Sequence, residues 1–221
     1  MGSDALTDPG SEVRVALVDL GLGNRRSVEK ALERVGAVVE RTTDPARLRA
    51  AGGLVLPGVG AFPEAMRRIR ALDLEGPLRE LAAEGKPLIG LCLGMQLLLD
   101  GSEELGGDAG LGLIPGTVQQ LDTQGLKLPH IGWNALTLRR PEHPLLAGLP
   151  DPLPLYHVHS FVAAPADPGV VLAEGHYGST FPSILALDNV MGAQCHPEKS
   201  SRDGLGLLEN FLNICGGATA R

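Results

Sequence analysis

Aromatic residues make up only 3% of the 221 residues, and no apolar run is long enough to cross a bilayer as a helix. Only three cysteines occur, Cys92, Cys195 and Cys215, with no CxxC pair and no zinc-ribbon spacing. An odd count without a secretory signal argues for free thiols in a reducing, cytoplasmic setting, rather than a disulfide framework. Basic residues are outnumbered, 19 against 26 acidic, giving a net charge of −7. That balance argues against nucleic acid as a partner, because phosphate binding needs clustered Lys and Arg. The polar, acidic start MGSDALTDPGSE reads as neither a signal nor a transit peptide. Residues 1–12 are expected to be a mobile leader, 13–215 one domain, and 216–221 a frayed tail.

What is abundant is aliphatic side chain, together with 30 Gly and 17 Pro, the mixture of an aliphatic core with many tight turns. VRVALVDL (13–20) reads as a buried first strand. Residues 24–35 place Val28, Ala31, Leu32 and Val35 on one helical face, and Gly36 ends that helix. AVVERTT (37–43) is a second strand, and DPARLRA a short helix with Asp44 as N-cap and Pro45 at its first position. GLVLPG (53–58) is a third strand. Helices follow over 63–70 and 75–84, then a buried strand over 86–91. Strand–helix alternation to residue 100 predicts an α/β fold, a doubly wound and mostly parallel sheet flanked by helices. The second half (TVQQL, WNALTL, LPLYHVHSFV, GVVLAEG, SILALDNVMGAQC) predicts an antiparallel extension of that sheet, and 204–214 a last helix.

The chemistry concentrates in three places. PLIGLCLGMQLLL (87–99) runs from a buried strand through Gly90, Cys92 and Gly94 into a helix. This is G-x-C-x-G, the thiol counterpart of the nucleophile elbow: the turn is so tight that β-carbons two residues either side would collide. The bend lifts the sulfur above the sheet edge at a helix N-terminus, whose partial positive charge favours a thiolate. A cysteine packed inertly beneath a helix is the competing reading, and the two glycines weigh against it.

Near the other end, a strand finishes at Cys195, followed by His196-Pro197-Glu198. Side chains at i and i+2 of extended chain point the same way, so Glu198 can orient the His196 imidazole towards a thiol. By type alone His130, His157, His159 and His176 also qualify as bases, but only His196 brings its own carboxylate. The third place is LVLPGVGAF (54–62), where Gly58, Val59 and Gly60, with the Leu93 amide, offer backbone N–H groups to an oxyanion. A plain glycine turn explains that loop equally well. Gln96, one helical turn beyond Cys92, is placed to bond a substrate carbonyl or carboxylate, and Glu104 to hold an ammonium group.

PGVG, GLCLGMQLL and HPEKS, in this order and spacing, resemble the class I (triad-type) glutamine amidotransferases. DLGLGNRRSV, PGVGAFPEAM, SEEL, LPHIGWN (128–134), YHVHSF (156–161) and HPEKSS extend the likeness over roughly residues 13–215. They narrow it to the glutaminase subunits of imidazole glycerol phosphate synthase in histidine biosynthesis. The resemblance implies that Cys92 forms a γ-glutamyl thioester, that His196 is base then acid, and that Glu198 orients it. It implies L-glutamine contacts from Gly60, Gln96, Glu104 and the His159, Ser160 and Phe161 backbone. It also implies a face made of Asn24, Trp133 and Lys199 against a (β/α)8-barrel cyclase, and neither cofactor nor metal. Leu20 and Leu22, and Cys195 where an aromatic often precedes the histidine, depart from the family pattern. A different cysteine hydrolase, or an amidotransferase-like binding module without activity, stays compatible with the elbow alone.

Overall fold

A computed structural model describes residues 13–21 and 25–217. The expected leader at 1–12, Leu22, Gly23, Asn24 and the end of the tail lie outside the described residues.

The first half alternates as its sequence periodicity requires. Strand β1 (Arg14–Val18) is followed by helix α1 (Arg25–Arg34), which buries Val28, Ala31 and Leu32. Strand β2 (Val38–Thr42) leads to α2 (Pro45–Ala50), where the Asp44 carboxylate accepts from the Ala46 amide at 2.9 Å and caps the helix. Next come β3 (Gly53–Gly58), α3 (Phe62–Ala71), α4 (Glu75–Ala83), β4 (Leu88–Cys92) and a short helix, α5 (Leu93–Leu97). Every residue of β3 and β4 is buried, as expected for central parallel strands covered on both faces.

The second half is built of strands: β5 (Gly101–Ser102), β6 (Asp108–Ala109), β7 (Gly116–Gln120), β8 (His130–Leu138), β9 (Leu153–His159) and β10 (Phe161–Pro165). It closes with β11 (Val171–Tyr177), β12 (Ser179–Leu187), β13 (Val190–Ala193) and helix α6 (Ser201–Cys215).

Nine strands form one sheet in the order β2-β1-β3-β4-β13-β12-β11-β8-β9. Pairing is parallel from β2 to β13 and antiparallel from β13 to β9. The antiparallel extension is therefore present, but two features of the second half differ from expectation. Strand β13 joins the parallel half beside β4, which is how the C-terminal HPE segment reaches the elbow. And β10-β7-β5-β6 form a separate four-stranded sheet. LPLYHVHSFV is thus two strands that part at Ser160, β9 entering the large sheet and β10 the small one.

The core divides by strand alternation. Leu54, Leu56 and Leu88 face a cluster shared with α2, α3, α4 and α5, whereas Val55, Ile89 and Leu91 face one shared with α1 and α6. Among the described residues no helix is long and apolar enough to cross a membrane.

Candidate active site

The site stands where β3, β4 and β13 end. Gly58 is in register with Cys92 across the β3–β4 ladder, and Ala193 with Leu91 across β13–β4. The carboxyl ends of neighbouring parallel strands thus bring the PGVG loop, the elbow and the HPE segment to one edge, the usual place for ligands on such sheets.

Cys92 sits at φ 54°, ψ −113°, a left-handed backbone that a non-glycine residue holds only under strain. The flanking glycines are a steric requirement. A β-carbon on Gly94 would overlap the Leu56 carbonyl, and one on Gly90 the Gly94 carbonyl. The bend leaves Cys92 8% exposed, enough to place its sulfur on the wall of a cleft.

His196 follows the last strand, its backbone N–H fixed by the Tyr156 carbonyl at 2.8 Å. Its Nδ1 lies 3.0 Å from Glu198 Oε1, and its side chain lines the same cleft as the Cys92 thiol, which donates to the Val158 carbonyl at 3.9 Å. The Glu198 side chain is almost sealed from solvent, and its second oxygen has no partner among the described residues. Burial of the ring works against protonation. Hydrogen bonding and charge attraction from Cys92 and Glu198 outweigh it and hold the His196 pKa at about 9. The ring is therefore charged at neutral pH, with the Glu198 carboxylate at its Nδ1.

The other buried histidines behave oppositely. Burial, with mutual repulsion, pushes His157 down to about 3 and His159 down to about 4, and burial also lowers His130. Their low pKa values make His157 and His159 weak bases, and both ring nitrogens of each are engaged within the protein, so neither is placed to serve Cys92. Cys195 is fully buried and desolvation raises its pKa strongly, so it remains a packed thiol.

The cleft measures about 320 Å³ and is lined by Val59, Gly60, Cys92, Leu93, Gln96 and Glu104. His159, Ser160, Phe161, His196 and Lys199 line it as well. Every substrate contact expected from the sequence therefore meets at one cavity. Gly60 holds φ +105°, and among the described residues the Val59 and Gly60 amides donate to no other protein group. Glu104 accepts from the Phe62 amide at 2.8 Å through Oε2, leaving its other oxygen for a ligand. Gln96 differs from expectation: its Nε2 donates to the Phe161 carbonyl at 3.1 Å and to Gln194 Oε1 at 3.0 Å, so both N–H groups are engaged within the protein.

Gln194 itself escaped the sequence reading. The signal was a lone carboxamide in an otherwise apolar strand end, which demands buried partners. A larger groove of about 1110 Å³ lies between α1 and α6, but it holds neither thiol nor imidazole. Among the described residues no group of three or more His, Cys, Asp and Glu is arranged to hold a metal ion.

The family model for glutamine amidotransferase class-I matches residues 16–215. This chain belongs to that family. Among curated relatives, imidazole glycerol phosphate synthase subunit HisH of Salinibacter ruber is 48% identical over 204 residues, covering 90% of this chain and 93% of that one. The HisH subunit of Halobacterium salinarum is 50% identical over 208 residues, covering 91% and 93%. The amidotransferase fold extends to more distant structures: PurLQS from Thermotoga maritima superposes with a TM-score of 0.73 at 19% identity, covering 92% of this chain and 99% of that one.

Proposed function

We propose that this amidotransferase is the glutaminase subunit of imidazole glycerol phosphate synthase, with Cys92 as nucleophile, His196 as base and acid, and Glu198 as its orienting carboxylate. The observation that carries the reading is the strained elbow that puts Cys92 in one cleft with His196, itself paired with Glu198, in a chain nearly half identical to HisH subunits over about 90% of its length.

Thiolate attack on the glutamine carboxamide carbon forms a tetrahedral oxyanion. The Gly58–Gly60 loop and the Leu93 amide receive its charge. His196, already an imidazolium, gives its proton to the departing nitrogen, and ammonia leaves as the γ-glutamyl thioester forms. The neutral ring then takes a proton from water, whose hydroxide adds to the thioester carbonyl; the C–S bond breaks, releasing glutamate and restoring the thiolate beside an imidazolium. Glu198 stabilises each charged state of the ring.

Ammonia released into water is protonated and loses its nucleophilicity, so the product needs a covered exit. Trp133 (54% exposed) and Ile131 (59% exposed) lie on one face of β8. Trp133 packs edge-on against Tyr156 at 6.2 Å, and the Tyr156 carbonyl holds the His196 backbone. This exposed apolar surface beside the site, with Lys199 at the cleft, suits a partner subunit seated over the ammonia exit. That partner is a (β/α)8-barrel cyclase, which takes the ammonia into a phosphoribulosyl formimino carboxamide nucleotide and makes imidazole glycerol phosphate and aminoimidazole carboxamide ribotide. The test is Cys92→Ala in the complex: glutamine-dependent synthesis is lost while synthesis from added ammonia persists. Glutaminase retained by that variant would refute the nucleophile.

A further inference from the structure

Gln194 is completely buried two residues before His196, and how it is satisfied follows from one backbone carbonyl. The Phe161 oxygen only accepts, so the Gln96 atom 3.1 Å from it is the nitrogen. The same nitrogen lies 3.0 Å from Gln194, so the Gln194 atom there is the oxygen. The Gln194 nitrogen is therefore on the far side, 3.9 Å from Cys92 Sγ, the long end of an N–H···S contact.

The Phe161 carbonyl also orders the histidines. His159 Nδ1 is 3.1 Å from it and must carry the proton, so His159 Nε2 accepts from His130 Nδ1 at 3.0 Å. Every member of this network has one allowed direction. Gln96 is left with a single uncommitted atom, Oε1, which has no partner among the described residues and is not sealed from solvent. Since Gln96 lines the cleft, it offers the substrate an acceptor and no donor.

We propose that Gln194 is a positioning residue for glutamine hydrolysis: its oxygen locks the Gln96 carboxamide so that an acceptor meets an N–H donor of the substrate, and its nitrogen holds the Cys92 sulfur. This rests on Cys92 being the nucleophile. One buried side chain then couples recognition of glutamine to the poise of the thiolate.

The test replaces Gln194 by methionine, similar in length and unbranched but without the amide. Alkylation of Cys92 by iodoacetamide at pH 7 is expected to slow about tenfold, the effect of one hydrogen bond to a charged group. KM for glutamine rises as well, because Gln96 is freed to turn. A merely structural role would lower the melting temperature and leave both readouts alone at 25 °C. A folded Gln194→Met protein that reacts and binds as the native one does overturns the proposal. Should the variant fail to fold, the native protein labelled with ¹⁵N-glutamine decides: the Gln194 side-chain N–H resonances shift when Cys92 is alkylated, and unmoved resonances overturn it. If alkylating Cys92 in the native protein leaves glutaminase intact, the nucleophile assignment fails, and this proposal with it.

Discussion

At the scale of single residues the site works by opposed environments. Burial alone would leave every histidine near the cleft neutral, as it does His157 and His159. His196 differs because a carboxylate and a thiol flank its ring. Replacing Glu198 by glutamine should therefore lower the His196 pKa from about 9, shifting the alkaline limb of the glutaminase pH–rate profile to lower pH. An unchanged limb would show that Glu198 does not tune the ring. The grouping of Cys92, His196 and Glu198 was legible in the sequence because glycines at ±2 mark an elbow and a carboxylate stands two residues from the histidine. The extended chain expected for that pair is instead a 3₁₀ turn over Pro197–Lys199, which still sets Glu198 Oε1 3.0 Å from the ring. Gln194 obeys no such rule. Its partners are Gln96, 98 positions earlier in the chain, and Cys92, 102 positions earlier, and only the pairing of β13 with β4 brings them together.

Elements carry the positioning. The elbow holds because α5 starts directly at the end of β4 and packs so tightly on β3 that Gly94 touches the Leu56 carbonyl. Gly94→Ala should cost about 1–3 kcal/mol of stability through overpacking, read from chemical unfolding, and reduce turnover by displacing Cys92. A variant as stable and active as the native protein would show that the elbow tolerates a β-carbon. The PGVG loop is the looser partner: Val59 and Gly60 are exposed, and Gly60 takes a backbone conformation open to glycine. A peptide flip costs little there, so binding of the partner subunit should raise glutaminase activity by fixing the proposed oxyanion donors. Equal rates for the isolated subunit and the complex would contradict that. The first-half strands were legible because βα alternation leaves clear apolar runs. The small sheet was not, since β5 and β6 are two residues each and carry no periodicity.

For the whole molecule, the histidines set two opposing stability trends. His157 and His159 have folded pKa values below the unfolded value of about 6.5, so their contribution is full above that pH and is lost as pH falls towards 4 and 3. His196 has a raised folded pKa, so its contribution is full below 6.5 and is lost as pH rises through about 9. From these groups alone, conformational stability peaks near pH 6.5 and falls on the acid side by on the order of 1 kcal/mol per histidine per pH unit. Urea unfolding across pH 4.5–9 checks this, and a monotonic rise over that range would contradict it. The parallel half, expected from sequence, supplies the strand ends. The antiparallel half supplies β9 and the small sheet β10, and their junction at His159–Phe161 lines the cleft.

The most direct test of the nucleophile is covalent capture by a glutamine-mimicking chloroketone, followed by mass spectrometry of the peptides. A single adduct on Cys92, absent from Cys195 and Cys215 and much slowed in His196→Ala, is the expected result. Labelling of another residue, or labelling at native speed without the imidazole, would contradict the account.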